Sequence, residues 1–323
     1  MSDLQPQPKP RAMRDTLLTS ILEAMENDDV FFVTADFGSP ILDHIRERYP
    51  HRFVNVGIAE QNLINVSAGL ALEGFKVFAY AIAPFITMRC FEQIRVNLAL
   101  LSTARPLNVT LIGVGAGYSY VVSGPTHQCY EDITLMRSMP NMQVFSPADQ
   151  VTSGLLAKEC LERPGIKYLR LDAQVLPVIY GQMPPDFSQG FHAHGETGAL
   201  CLISTGYMTQ TALHVADDLA EQGININVID LFDLSLFDSE ALIALLQESP
   251  GILSLEEGFQ GAGGLDALLF NLLSKRLPGK PFLNIGVEPR YRFELGDRQT
   301  LHEQVGIGHQ AVIQKVRDFY QSL

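Results

Sequence analysis

Cationic side chains are scarce in this chain. Lysine and arginine number 23 against 36 aspartates and glutamates in 323 residues, a formal net charge of −13. No surplus of positive charge is available to displace counterions from nucleic acid or to bind an anionic membrane surface, which argues against both partners. Cysteine is also sparse. Cys90, Cys129, Cys160 and Cys201 are scattered with no CxxC pair. That pattern suits buried thiols in a reducing cytoplasm better than a disulfide framework or a zinc site. No apolar run reads as a membrane span, because the longest, around Asn97 to Val114, is broken by Arg105-Pro106. An N-terminal apolar segment is missing; SDLQPQPKP is polar and proline-rich and reads as a flexible leader over 1–12. There is no P-loop, no GxGxxG, no short-period repeat and no low-complexity tract. What is present is 46% hydrophobic residues with 18% charged ones, enough for sizeable cores and, at this length, two domains.

The apolar pattern alternates between short β-favouring runs and helix-period segments. Strands are expected at Val30 to Thr34, Phe53 to Val56, Lys76 to Ala81, Asn108 to Val114, Gln143 to Ser146 and Lys167 to Leu171. Helices are expected between them, the longest over Phe85 to Leu101. Such alternation predicts an α/β fold with a doubly wound parallel sheet over 13–176. Residues 177–196 lack periodicity and carry Pro177, Pro184, Pro185, Gly181 and Gly190, so they read as a linker. A second doubly wound α/β domain is expected over 197–323, with strands at Ala199 to Ser204, Asn225 to Asp230, Gly251 to Glu256 and Phe282 to Val287.

One stretch, RFVNVGIAEQN at Arg52 to Asn62, organises the first half. A strand turns through Gly57 directly into a helix, which places Glu60 in the first helical turn at the C-terminal edge of the sheet, where open α/β sheets bind ligands. A glutamate that merely complements the helix dipole is the plain alternative. Other polar and aromatic residues follow strand ends in the same way: Asp36 and Ser39 after the first strand, Phe85 after the third, Ser123-Gly124-Pro125-Thr126-His127-Gln128 after the fourth, and Arg170 at the end of the last. All should converge on one rim as a site for a cofactor and an anionic substrate. Each also has a structural reading: Phe85 as core, His127 as a satisfied loop histidine, Arg170 as an ion-pair partner. Gly261-Ala262-Gly263-Gly264 could hold an anion before a helix, or form a tight turn. His192, His194 and Glu196 have a spacing a metal could use, or meet by coincidence in the linker.

FVNVGIAEQN, ALEGFKVFAY, EQIR at Glu92 to Arg95, GPTHQ at Gly124 to Gln128, RSMPNMQVFSPAD at Arg137 to Asp149 and YLR at Tyr168 to Arg170 together resemble the transketolase superfamily of thiamine-diphosphate enzymes. The resemblance runs in the same order along nearly the whole chain. It covers the second half of a transketolase, a pyrimidine-binding (Pyr) domain followed by the transketolase C-terminal domain. The GDG…N element that holds the diphosphate and its metal in that family does not occur here. The resemblance therefore implies the C-terminal subunit of a split, two-chain transketolase, with thiamine diphosphate shared across an α2β2 heterotetramer. Mg2+ or another divalent metal would be held by the N-terminal, diphosphate-binding partner subunit.

By the same resemblance, Glu60 hydrogen-bonds the aminopyrimidine ring, Phe85 stacks on it, Ile82 packs a ring face and Asp36 lines the cofactor cleft. His127 contacts the reacting end of a sugar, Arg170 and Arg14 grip its phosphate, and Ser39 lies nearby. Two departures stand out: Ser123 replaces the aspartate usual before Gly-Pro-Thr-His, and Ile82 sits where an aromatic is frequent. The loop Gly117-Tyr118-Ser119-Tyr120 is also unusually aromatic. The implied activity is transfer of a two-carbon ketol unit between phosphosugars or related anionic sugars. A 1-deoxyxylulose-5-phosphate-synthase-like or E1-β-like subunit using a 2-oxo acid, and a non-catalytic regulatory subunit, are the alternatives.

Overall fold

The computed structural model describes residues 9–27, 29–181 and 185–323. The first half runs α1 (Met13–Ala24), β1 (Val30–Thr34), α2 (Pro40–Arg48), β2 (Phe53–Asn55), α3 (Glu60–Leu72), β3 (Lys76–Ile82), a helical run α4 (85–103), β4 (Asn108–Val114), α5 (Asp132–Arg137), β5 (Met142–Phe145), α6 (Gln150–Glu162) and β6 (Gly165–Leu171). Its six strands form one parallel sheet in the order β2-β1-β3-β4-β6-β5. Helices cover both faces, which is why strands such as VFFVT and NVTLIGV are almost unbroken apolar runs. The chain moves outward from β1 to β2 and then crosses back to β3. The order therefore reverses beside β1, and a crevice opens at the carboxyl ends of β1 and β3.

The second half runs β7 (Phe191–Ala193), β8 (Leu200–Ser204), α7 (Met208–Ala220), β9 (Ile226–Leu231), α8 (Ser239–Glu248), β10 (Ile252–Phe259), α9 (Leu265–Arg276), β11 (Phe282–Val287), α10 (Arg298–Gln304) and α11 (His309–Ser322). Its sheet order is β11-β10-β8-β9-β7, parallel except for β7. Two α/β units with parallel sheets are thus present, as the alternation of strands and helices predicts.

Three local expectations differ from what is seen. The stretch 177–196 is not all linker, because β7 within it pairs antiparallel with β9; three edge residues are too few to show an alternation. Of the expected leader, residues 1–8 lie outside the described residues. Lys9 to Ala12 are docked: Gln150 Nε2 donates to the Lys9 carbonyl at 2.9 Å and Ala12 bridges to Val175. Helix α10 is not among the expected helices, and its Arg298 and His302 are buried.

That inward face joins the two domains. Arg298 Nη1 donates to Asp172 at 2.5 Å, Nη2 donates to Glu257 at 2.7 Å, and the guanidinium lies 3.5 Å over the Tyr207 ring. His302 Nε2 is 2.6 Å from Glu257 Oε1. Burial alone would raise the Glu257 carboxyl, but Arg298 and His302 outweigh it and hold the carboxyl well below its usual range. Main-chain bonds add to the join, from Ser146 N to the Phe232 carbonyl and from Leu234 N to the Val144 carbonyl, both at 2.8 Å.

Two other buried acids are raised. Desolvation pushes Glu256 to about 7, opposed by the backbone N–H groups of Asp266 and Leu265. Desolvation likewise lifts Asp230 to about 7 against hydrogen bonds from Tyr180 and Thr209. The folded chain keeps these protons longer than the unfolded chain. Their stabilising contribution is complete below the ordinary values of 4.5 and 3.8 and is lost as pH rises through about 7. Glu257 acts in the opposite sense, its contribution being present above 4.5 and lost in more acid solution. Glu256→Gln, which stays neutral, should therefore flatten the decline of Tm between about pH 5 and about pH 8, by an amount equivalent to ~3 kcal/mol at most. Tm profiles with the same slope for both proteins in that window would show that Glu256 does not titrate there.

Candidate active site

Glu60 owes its place to a short strand and a glycine. After β2 the chain turns at Gly57, whose φ of 75° is in the left-handed region, and α3 opens on Glu60. The turn is tied by Asn55, whose Oδ1 accepts from Gly57 N at 2.9 Å while its Nδ2 donates to Asp36 Oδ1 at 2.9 Å. Asp36 follows β1 and has a φ of 60°, the one positive value at a non-glycine among the described residues. Backbone strain of that kind clusters at ligand sites. Asp36 and the β2–α3 turn are therefore locked to each other across the mouth of the crevice.

The Glu60 side chain is only 4% exposed. Its Oε1 accepts a hydrogen bond from Arg89 Nη1 at 3.0 Å, and the Arg89 side chain is 49% exposed. The same guanidinium lies 3.8 Å from the centre of the Phe85 ring. Phe85 and Arg89 begin and end a π-helical turn, Phe85–Arg89, at the start of α4; π turns recur at functional sites. Buried Cys90 is pushed up to about 12 by desolvation and by the Glu60 charge beside it. Ile82 ends β3, half-buried, one short turn before Phe85.

Beyond Phe85 the site continues as a string of rings. His127 meets Phe85 edge-on at 5.2 Å between centroids, and Tyr120 meets His127 edge-on at 6.4 Å. Thr126 Oγ1 is 2.9 Å from His127 Nδ1, which leaves Nε2 as the free ring nitrogen. The loop after β4 can present these groups because Gly115 has no side chain: at its φ of 94°, an added Cβ would run into the Tyr120 ring. Arg14 closes the string from α1. Its Nε donates to Asp15 at 2.8 Å, and its charge acts on Tyr80 and Tyr120, whose hydroxyls are nonetheless raised by burial. Burial disfavours the Arg14 cation, yet Asp15 and Tyr80 more than restore it.

Glu60, Phe85, His127 and Arg14 are thus brought onto one rim, with Asp36, Ile82 and exposed Ser123 on the strand ends and loop beside them. Arg170 is not on that surface. It is 4% exposed, with Nε donating to Asp132 Oδ2 at 2.9 Å. Desolvation works against its charge, but Asp132 and Glu257 keep it cationic. The phosphate grip expected of Arg170 is not met by an exposed side chain here: β6 buries it against Asp132, with its Nη2 left without a hydrogen-bond partner among the described residues. Ser39 is also occupied otherwise: its Oγ caps α2, accepting from Ile41 N at 3.2 Å. Arg89 is the site residue that sequence reasoning misses. EQIR draws attention to Arg95, which pairs on the surface with Glu92, whereas the arginine at Glu60 stands a little upstream. The signal that could find it is the helical spacing from Phe85.

The two lesser motifs are explained locally. Glu256 fills the N-terminus of α9, accepting from Leu265 N at 3.0 Å and Asp266 N at 2.9 Å, so the glycine-rich turn already holds the protein's own carboxylate. His192 and His194 pack against each other and Tyr180. Among the described residues, no three His, Cys, Asp or Glu side chains gather to hold a metal ion. A cavity of about 810 Å³ lies away from Glu60, against Leu176, Tyr207, His214, Asp218, His302 and His309. Size alone would favour that cavity; the convergence of a buried acid, edge-on aromatic rings and a histidine favours the rim.

Residues 10–178 match the family described as transketolase, pyrimidine binding domain, and residues 192–312 match transketolase, C-terminal domain. A subunit of the apulose-4-phosphate transketolase of Phocaeicola vulgatus is 32% identical over 282 residues, covering 85% of this chain and 89% of that protein. The 6-deoxy-6-sulfo-D-fructose transketolase subunit SqwH of a Clostridium species is 28% identical, covering 95% and 94%. A solved structure described as a split gene transketolase, inactive beta4 tetramer, superposes with a TM-score of 0.83 at 30% identity, covering 96% of this chain and 98% of that one. The Campylobacter jejuni transketolase has the same fold, with a TM-score of 0.75 at 20% identity, and this chain spans 48% of its length. The chain belongs to the transketolase family, of which it carries the pyrimidine-binding and C-terminal domains.

Proposed function

We propose that this chain is the C-terminal subunit of a two-chain transketolase, moving a two-carbon ketol unit between phosphosugars or related anionic sugars with thiamine diphosphate. The observation that carries the reading is the buried Glu60 carboxylate at the start of α3, facing a flat cation that lies on Phe85. The guanidinium stands in for the cofactor's aminopyrimidine, also a flat hydrogen-bonding group, and occupies the space between this acid and this ring that such a group would need. When bound, the cofactor supplies a thiazolium carbon that becomes the nucleophile.

The chain's own residues do the rest. Glu60 holds a proton against a ring nitrogen of the aminopyrimidine, and its burial makes that hydrogen bond strong. Phe85 and Ile82 pack the ring faces, and Asp36 lines the cleft. His127, fixed through Nδ1 by Thr126, offers Nε2 to an oxygen of the sugar where negative charge develops. Arg14 supplies the cation for the sugar's anionic end, a planar group suited to phosphate. Ser123 faces the substrate with a hydroxyl where a carboxylate is usual, which suits a sugar other than the ordinary transketolase substrates.

The diphosphate and its divalent metal are assigned to an N-terminal partner subunit, in an α2β2 assembly. Relatives named as single subunits of a transketolase, and a beta tetramer described as inactive, support the need for a partner. Those transketolase names favour neither the 2-oxo-acid reading nor a non-catalytic role. The four cysteines are buried and unpaired, and no helix among the described residues is long and apolar enough to cross a membrane, which fits a place in the cytoplasm.

The chain alone should show no ketol transfer, and activity should appear on mixing with a diphosphate-binding partner; turnover by the chain alone would refute the split site. In the complex, Glu60→Gln should slow hydrogen–deuterium exchange at the thiazolium carbon by about a hundredfold or more. Exchange at the wild-type rate would remove Glu60 from this role.

A further inference from the structure

We infer that Arg89 is a built-in competitor for the aminopyrimidine, a residue that must release Glu60 before cofactor can seat and that thereby sets cofactor affinity. The inference rests on the reading of Glu60 and Phe85 given above and adds a residue to it. One guanidinium makes both contacts assigned to the aminopyrimidine: it donates to Glu60 Oε1 at 3.0 Å and covers the Phe85 ring at 3.8 Å. Two flat groups cannot share that space.

The arrangement also explains why the competitor is there and why it can leave. A carboxylate that is 4% exposed is costly to keep charged without a partner. Arg89 supplies the partner when nothing else does. Its own side chain is half open to water, so on release it exchanges one hydrogen bond for solvation. The backbone beside it is already held, since Gln61 Nε2 donates to the Arg89 carbonyl at 3.3 Å. Release therefore needs only side-chain rotation, a fast motion for an exposed residue. Every molecule of cofactor meets a site that is open for only a fraction of the time, and apparent affinity falls by that fraction. A partly exposed ion pair together with one cation–π contact sets the penalty at about tenfold.

The test uses the complete chain and thiamine, which lacks the diphosphate that this chain is not built to hold. Calorimetric titration should show Arg89→Met, which keeps the apolar stem, binding thiamine about tenfold tighter than wild type. Arg89→Lys, a point charge without the planar fork, should fall between them. Glu60→Gln in the Arg89→Met background should lose the gain. Thermal unfolding of each variant confirms a folded chain. Affinity that is unchanged, weaker or undetectable in Arg89→Met overturns the competitor. If the Glu60 substitution costs nothing in that background, the aminopyrimidine reading itself falls; if it costs affinity while Arg89→Met shows no gain, that reading stands and only the competitor falls.

Discussion

A carboxylate withdrawn from water at the edge of a parallel sheet is the constraint on which this structure turns. Removing such a group from solvent costs several kcal/mol unless charge or hydrogen bonds replace the lost water. Glu60 has two compensations. It opens a 13-residue helix, α3, whose N-terminal N–H groups carry a partial positive charge. It also faces one guanidinium. Both belong to the sheet rim, one through the turn after β2 and the other through α4 after β3. The acid is thus fixed by the topology, since β1 and β3 are the neighbours between which the strand order reverses.

The second domain reaches this rim through the loop that carries Tyr120 and His127. Gly117 in that loop has a φ of 56°, and an added Cβ would run into the Glu257 carboxylate. Tyr118 N donates to the same carboxylate at 3.3 Å. Glu257 is in turn held by Arg298 and His302, and Arg298 by Asp172 at the end of the first domain. One buried network therefore sets the position of the loop and the docking of the domains together. Removing one partner of such a network leaves a buried charge unmatched, at a cost of about 3–5 kcal/mol. The second domain acts on the site as a clamp on the loop, and its Leu295 side chain also comes within 3.9 Å of where a Cβ on Gly124 would lie.

Much of this is legible in the chain. Strands such as β1 and β4 can be read because burial on both faces makes them almost continuously apolar, and the rim can be read because turns and glycines mark where strands stop. Strand ends pick out Glu60, Phe85 and His127 as candidates, each with a structural alternative; the roles proposed for them rest on the resemblance of GIAEQN and GPTHQ to transketolases. What cannot be read is where a charge points. Arg170 looks like a ligand-gripping cation but is matched by Asp132, a partner 38 residues earlier in the chain. Arg298 and His302 carry no signal in the pattern and form the centre of a domain contact. Arg89 looks like one more surface arginine on a helix. Long side chains choose among several counter-charges, and that choice is made by tertiary packing, which local pattern does not encode.

The exposed apolar residues complete the physical case for a shared site. Ile58, Met88 and Val122 are open to solvent, and each stands within two residues of Glu60, Arg89 or Ser123. A single exposed aliphatic residue carries no message. Three of them attached to the residues of one site, beside an aromatic ring covered by a half-exposed arginine, describe a surface that gains from being covered. Here Glu60 is buried, while the ground in front of it is left to a half-exposed cation and exposed hydrocarbon. That contrast is what the proposed split site requires: the part that sets a proton must be rigid and dry beforehand, and the part that meets a second polypeptide must remain open until it arrives.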